Sequence, residues 1–185
     1  MLFGRTRIDI AVGELVDQPV DVLVVAGNQR AMFPAGAAST LWSAAGESVE
    51  RELRTHAPFE IGTAVATGAG RLEARGVHTI VHAIISPGLG ERPREMAMKL
   101  ALDAAFARAI ERKASNLAVA LLGSSANDPQ ERRLERAEQI LEALVAALRT
   151  RRTRLERALI VSRFEDDLGP LRALVVRARE RLWTA

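Results

Sequence analysis

Residues 20–46 constrain the fold of this chain more than any other segment. The first part, 20–26, is almost continuously apolar and rich in β-branched residues, which is typical of a strand buried on both faces. A turn of small residues follows, and a helix is expected to begin near Gly36. A strand that enters a helix through such a turn presents backbone N–H groups that can bind a phosphate. The segment therefore predicts an α/β protein with an anion site at this turn.

The rest of the chain repeats the alternation of strands and helices. Apolar runs predict strands, and the longer segments with helical spacing are long enough to cross over between parallel strands. We expect one domain over residues 1–185, with a three-layer α/β/α fold. Its sheet should be mixed but mainly parallel, with helices on both faces. The predicted strands are 7–12, 20–26, 63–67, 77–85, 117–122 and 158–162, and the predicted helices are 36–45, 48–56, 93–112, 130–148 and a last one that begins at Pro170.

Ligands of such sheets bind beyond the carboxyl ends of the strands, where the connecting loops meet. Three loops follow predicted strands there, at 27–36, 86–93 and 123–129. We expect the functional site among these loops.

Composition excludes several kinds of site. The chain is 48% hydrophobic, as expected for a folded domain, yet no apolar run approaches the roughly 20 residues that cross a bilayer. The first nine residues contain no apolar signal core, so we expect a cytoplasmic protein without a membrane partner. Cysteine is absent, which excludes disulfides, thiolate nucleophiles and cysteine metal sites. The three histidines are not spaced as metal ligands, so we predict neither a metal nor a cofactor.

The basic residues do not predict a nucleic-acid partner. The net charge is +3, and lysine occurs only at Lys99 and Lys113. The arginine-rich run at 149–157 contains no aromatic residue that could stack on a base. We interpret this run as a solvated connection between a helix and a strand.

Seven short motifs occur in a characteristic order along the chain. They are Gly13-Glu14-Leu15, Val24-Val25-Ala26-Gly27-Asn28, Phe33-Pro34-Ala35-Gly36, Gly62-Thr63-Ala64-Val65-Ala66-Thr67, Val81-His82, Gly123-Ser124-Ser125-Ala126-Asn127 and the strand end at Phe164. In this order they resemble the motifs of the macrodomain (ADP-ribose-binding, Appr-1''-p processing) family, and the resemblance extends from about Ile8 to Leu182.

The resemblance implies an adenine pocket between two of these motifs. Glu14 stands where the family has an aspartate that accepts a hydrogen bond from the adenine amino group, and Phe164 stands where an aromatic ring stacks on adenine. Two simpler interpretations remain open. Glu14 is also a suitable helix cap, and Phe164 is also a loop residue that could pack on its own domain.

The resemblance also implies where the phosphates and the distal ribose lie. Backbone N–H groups at 35–37 and 123–125 would hold the diphosphate, and Asn28 would place the distal ribose and a water. Asn127 replaces a family aromatic, and only Gly36 remains of the first glycine-rich loop. The predicted ligand-binding residues are Gly13, Glu14, Leu15, Asn28, Ala35, Gly36, Ala37, Gly123, Ser124, Ser125, Ala126, Asn127 and Phe164, and Asn28 is the candidate catalytic residue.

Three functions are consistent with these residues. The first is binding of ADP-ribose or a related adenine nucleotide. The second is an ADP-ribosyl hydrolase acting on an ADP-ribosylated protein, nucleic acid or metabolite, although neither lysine lies in a site loop. The third is a changed use of the fold, for another ligand or a protein partner, with Met32 and Phe33 as an apolar lip. We interpret His82, inside an apolar strand, as a core residue.

Overall fold

A seven-stranded mixed sheet runs through the centre of the molecule. The structure is a computed structural model, and it describes residues 1–32, 36–88, 91 and 93–183. The strand order is β1-β2-β7-β6-β3-β5-β4. The five inner strands are parallel, while β1 and β4 run antiparallel at the two edges. The strands are β1 (Leu2–Phe3), β2 (Thr6–Val12), β3 (Val22–Asn28), β4 (Ala64–Thr67), β5 (Thr79–Ser86), β6 (Asn116–Ala120) and β7 (Arg157–Ser162).

Helices cover both faces of this sheet, so the predicted three-layer α/β/α fold is confirmed. Short 3-10 turns at Leu15–Asp17, Gly70–Arg75 and Glu165–Asp167 join some of the elements, and a π-helical turn, Arg179–Trp183, follows the last helix. No helix in the described ranges is long and apolar enough to cross a membrane. The helices are α1 (Gly36–Ala45), α2 (Glu47–Arg54), α3 (Glu95–Glu111), α4 (Gln130–Thr150) and α5 (Leu168–Ala178).

The core lies between the sheet and these helices. All eight residues of β5 are buried, as an apolar strand covered on both faces should be. Helix α3 places Leu102, Phe106 and Ala109 in this core, as their spacing on one helical face predicts. The packing positions the carboxyl ends of β2, β6 and β7 beside the start of α1.

Most predicted elements differ from the observed ones by one or two residues at an end; β3, for example, spans Val22–Asn28 instead of 20–26. Strand β1 was not predicted, because two residues are too short for a periodic signal; they pair with Thr6 and Arg7. Strand β6 ends at Ala120 instead of residue 122. Helix α5 begins at Leu168 instead of Pro170, because the turn at Glu165–Asp167 leads directly into it. Pro170 still lies in the first helical turn, where its missing N–H needs no acceptor.

Candidate functional site

A cleft of about 400 Å³ lies at the carboxyl ends of β2, β6 and β7, beside the first turn of α1. Ligands of parallel α/β folds bind at this end of the strands. A larger hollow of about 750 Å³ lies along α1 and α2, away from these strand ends, so we take the smaller cleft as the candidate site. The cleft is lined by Gly13, Leu15, Gly36, Ala37, Ala120, Leu121, Ser124, Ser125, Ala126, Asn127, Arg133, Val161, Ser162, Arg163 and Phe164.

Phe164 is the aromatic residue of this lining, and Arg133 supports its ring. The guanidinium carbon of Arg133 lies 4.1 Å from the centre of the ring, a cation–π contact. The backbone N–H of Phe164 donates to Oγ of Ser162 at 3.2 Å. The ring itself is half-buried. Its position is therefore determined by contacts within the protein, and part of it remains accessible from the cleft.

A buried ion pair holds Arg133 in place. Its Nε and Nη2 donate to the two carboxylate oxygens of Asp167, each at 2.8 Å, and its Nη1 donates to the carbonyl oxygen of Asp128. Asp167 is fully buried and also accepts a hydrogen bond from Ser162 Oγ at 2.5 Å. Burial alone would raise the pKa of Asp167, but the hydrogen bonds from Arg133 and Ser162 hold that pKa below its usual value. Such a bidentate, desolvated pair has little freedom to rearrange.

Glu14 lies on the rim of the cleft instead of in its lining. Its Oε2 accepts a hydrogen bond from Arg163 Nη2 at 2.7 Å, and the same Nη2 donates to Oγ1 of Thr40 at 2.8 Å. Arg163 thereby joins the end of β7 to the loop after β2 and to α1. The backbone N–H of Gly13 also donates to the carbonyl oxygen of Ser162, which bonds the loop after β2 to the end of β7.

The first predicted phosphate loop reaches the cleft through the start of α1. Gly36 has φ of +77°, a conformation that favours glycine, and a β-carbon there would meet no atom of the described residues within 4 Å apart from its chain neighbours and its own helix. Because the first N–H groups of a helix have no partner within it, Gly36 and Ala37 can present theirs to an anion. Ala35, the third predicted donor of this loop, lies outside the described residues.

The second predicted phosphate loop is largely bonded to itself. The N–H of Ser124 donates to the carbonyl oxygen of Leu121, and the N–H of Ser125 donates to the carboxylate of Asp128 at 2.8 Å. Oγ of Ser125 accepts from the N–H of Asn127. Two of the expected donors are thus engaged, one of them with a carboxylate. Gly123 has φ of +73° and lies behind the loop, where its β-carbon would approach Met98.

Asn28 stabilises a turn and does not line the cleft. Its Oδ1 accepts from the N–H groups of Arg30 and Met32, each at 3.1 Å, and its Nδ2 donates to the carbonyl oxygen of Met32. The side chain is buried. Met32, half of the predicted apolar lip, is exposed and lines the larger hollow; Phe33 lies outside the described residues.

His82 is a core residue of β5. It is fully buried, and its Nε2 lies 3.1 Å from Oγ1 of Thr67. Burial lowers its pKa to about 3, so the ring is neutral at ordinary pH. Within the described ranges, no three potential metal-ligating side chains come together.

The structure thus brings together residues from four of the predicted motifs. Gly13, Leu15, Gly36, Ala37, Ser124, Ser125, Ala126, Asn127 and Phe164 line the cleft, whereas Glu14, Asn28 and Gly123 do not. No described residue of the predicted loop 86–93 lines it either.

Sequence reasoning missed Arg133, Asp167 and Arg163. A signal for Arg133 was present, since Arg133 precedes Ala137 by one helical turn and so lies on the apolar face of α4. A buried charge on such a face requires a partner. Nothing local in the sequence identifies Asp167 as that partner.

Comparison with known proteins agrees with this fold. A variant of the Oceanobacillus iheyensis macrodomain with ADP-ribose superposes with a TM-score of 0.80 at 16% identity, covering 97% of both chains. The Trypanosoma brucei macrodomain in complex with ADP-ribose has a TM-score of 0.76 at 18% identity, over 91% of this chain and 68% of the other. The macrodomain of Thermus aquaticus DarG has a TM-score of 0.70 at 18% identity, over 85% and 99%.

Sequence comparison adds a more similar but shorter match. An uncharacterised protein of Aquifex aeolicus (strain VF5) is 36% identical over 70 residues, which are 38% of this chain and 42% of the relative. This match therefore spans less than half of that protein. The family model described as "Macro domain" matches residues 24–141, which is more than half of this chain. On that match, and with the fold in agreement, the chain belongs to the macrodomain family.

Proposed function

We propose that the cleft binds ADP-ribose or a related adenine nucleotide. The observation that carries the proposal is the Phe164 ring, which lines the cleft and is supported by the buried Arg133–Asp167 pair. A held aromatic ring provides a flat apolar surface on which a base can stack without ordering a flexible side chain. Structural relatives of this chain hold ADP-ribose or ADP, and their fold is the same.

The diphosphate is proposed to lie at the start of α1. The N-terminal end of this helix carries partial positive charge and N–H groups from Gly36 and Ala37. Ala37 and Gly36 line the same cleft as Phe164, so a base on the ring and phosphates at the helix can belong to one ligand. The second loop contributes less, because the N–H of Ser125 already donates to Asp128.

The contacts of Asn28 favour binding over hydrolysis. Water placement needs a polar side chain that points at the ligand. Here both the oxygen and the nitrogen of the Asn28 side-chain amide form hydrogen bonds with the backbone of the 28–32 turn. We therefore propose a protein that binds the ADP-ribosyl group, free or attached to a macromolecule, without efficient turnover.

Calorimetric titration with ADP-ribose tests the proposal. Phe164→Leu keeps apolar volume but removes the ring, and it should weaken binding about tenfold, the effect of losing one stacked base. Met32→Ala, an exposed position outside the cleft, is the matched control and should bind like the unmodified protein. Equal affinity of the unmodified protein and Phe164→Leu, or no saturation at millimolar ADP-ribose, would contradict the proposal.

A turnover assay separates binding from hydrolysis. The unmodified protein is incubated with an auto-ADP-ribosylated protein, and released ADP-ribose is measured over time. We expect no release above the spontaneous rate. Release that Asn28→Ala abolishes would instead show a hydrolase that uses this residue.

A further inference from the structure

A guanidinium and a carboxylate lie side by side at the rim of the cleft. Arg163 Nη2 donates to Glu14 Oε2 at 2.7 Å and to Thr40 Oγ1 at 2.8 Å. The side chains of Arg163 and Glu14 remain 35% and 40% exposed, so both are accessible to a ligand that extends to the rim. The two bonds to Nη2 hold the guanidinium in one orientation.

Arg163 and Glu14 each keep hydrogen-bonding groups that are available to a ligand. Among the described residues, the Arg163 side chain donates only through Nη2, which leaves the donors on Nε and Nη1. Oε1 of Glu14 likewise accepts no side-chain hydrogen bond from the residues that the structure describes. The rim therefore offers N–H donors and an acceptor oxygen next to each other.

Arg163 directly precedes Phe164, and both line the cleft. A base that stacks on the ring turns its edge towards the side chains around the ring. One edge of adenine carries the acceptor N7 beside the donor amino group at N6, whereas guanine and hypoxanthine carry the acceptor O6 in place of that amino group. A donor beside an acceptor matches adenine. With either other base, the carboxylate of Glu14 would face a second acceptor.

We propose that Arg163 is a specificity-determining residue of the cleft: it holds the Glu14 carboxylate in place and donates a hydrogen bond to N7 of adenine. This inference rests on the proposed function, since it requires a base on Phe164. It adds a reason for a preference among bases, which stacking alone does not provide because every base has a flat face.

Titrations with ADP, 7-deaza-ADP and IDP test the inference. 7-Deaza-ADP lacks only the N7 acceptor, and IDP replaces the amino donor with O6. The unmodified protein should bind each analogue about tenfold more weakly than ADP, the effect of one lost base contact. Arg163→Met should bind ADP and 7-deaza-ADP equally. Arg152→Met is the matched control, because Arg152 is exposed and precedes β7 at the opposite edge of the sheet; it should keep the tenfold difference.

A second variant keeps the test decisive if Arg163→Met does not fold, which melting temperature will show. Glu14→Gln should lose the discrimination between ADP and IDP while it retains the preference for ADP over 7-deaza-ADP. Equal binding of ADP and 7-deaza-ADP by the unmodified protein overturns the inference, and so does an unchanged ratio in Arg163→Met, while the proposed nucleotide binding stands. If neither these nucleotides nor ADP-ribose binds at millimolar concentration, both the inference and the proposed function are overturned, whereas binding of ADP-ribose alone overturns only the inference.

Discussion

The guanidinium carbon of Arg133 lies 4.1 Å from the centre of the Phe164 ring and joins α4 to the segment after β7. The same guanidinium donates to both carboxylate oxygens of the fully buried Asp167. The ring that we propose as the base-stacking surface is therefore positioned by a buried ion pair. Stability of the domain and shape of the cleft depend on the same contact.

Replacing Arg133 should affect both properties. Arg133→Met leaves the Asp167 carboxylate buried without its partner, which should lower the free energy of unfolding by about 3 kcal/mol. It should also weaken ADP-ribose binding, because the ring loses its support. Urea denaturation and calorimetry measure the two effects.

Arg132→Met is the matched control for this prediction. Arg132 is the next residue of α4 and lies 3.8 Å from Asp128, a partly exposed pair that contributes little. The Arg132→Met substitution should therefore lower the free energy of unfolding only slightly. If Arg133→Met lowers the free energy of unfolding no more than Arg132→Met does, the buried pair is not needed for stability.

Alanine substitutions at two glycines distinguish the effect of backbone strain on stability from the effect on phosphate binding. Gly36 and Gly76 have φ of +77° and +89°, and, beyond local backbone, a β-carbon at either position would meet no atom within 4 Å in the part of the chain that the structure describes. Alanine at either position should therefore cost a similar free energy of unfolding, about 1 kcal/mol, from the left-handed conformation alone. Only Gly36 lies at the cleft, so only Gly36→Ala should weaken ADP-ribose binding. Equal nucleotide affinity of Gly36→Ala and Gly76→Ala would place the diphosphate elsewhere.

Asn28 should matter more for stability than its predicted role in water placement suggests. In Asn28→Ala the N–H groups of Arg30 and Met32 lose their acceptor, which should lower the free energy of unfolding by about 2 kcal/mol. Asn127→Ala, at an exposed position of the second loop, is the control and should change stability little. Chemical denaturation of the two variants compares them directly. A neutral Asn28→Ala would mean that the turn holds without its side chain.

His82 should make the domain less stable in mild acid. Its pKa is about 3 in the folded protein, against about 6.5 in an unfolded chain. Between these values the unfolded state binds the proton and the folded state does not, so the free energy of unfolding falls as pH drops below about 6.5. The loss should approach about 1.4 kcal/mol per pH unit, or roughly 3 kcal/mol by pH 4.5.

Melting temperatures at pH 7.0 and 4.5 check this dependence. His82→Gln has no titrating group at this position, so its melting temperature should fall less between the two pH values. The exposed His56, replaced in His56→Gln, serves as the control and should retain the dependence of the unmodified protein. The explanation would be wrong if His82→Gln lost as much stability in acid as the unmodified protein.

Local pattern in the sequence predicted most of the framework. Helix α1 has the predicted bounds, because a glycine start and a run of small residues determine it locally. The apolar sequence segments that form β3, β5 and β7 were also recognisable, since a strand covered on both faces must be apolar along its length. The order of motifs was enough to identify the family.

Only the tertiary structure decided which polar groups meet at the cleft. Arg133 and Asp167 are 34 residues apart, and Arg163 and Glu14 are 149 residues apart. Hydrophobic periodicity determines which face of an element is buried, but it does not determine which donor finds which acceptor across the fold. The contacts of Asn28 were equally invisible, because a polar side chain after a strand can bond its own turn or a ligand, and the path of the loop decides between them. The sequence therefore determined the scaffold, whereas the packing of distant loops decided which residues line the cleft and what chemistry they offer.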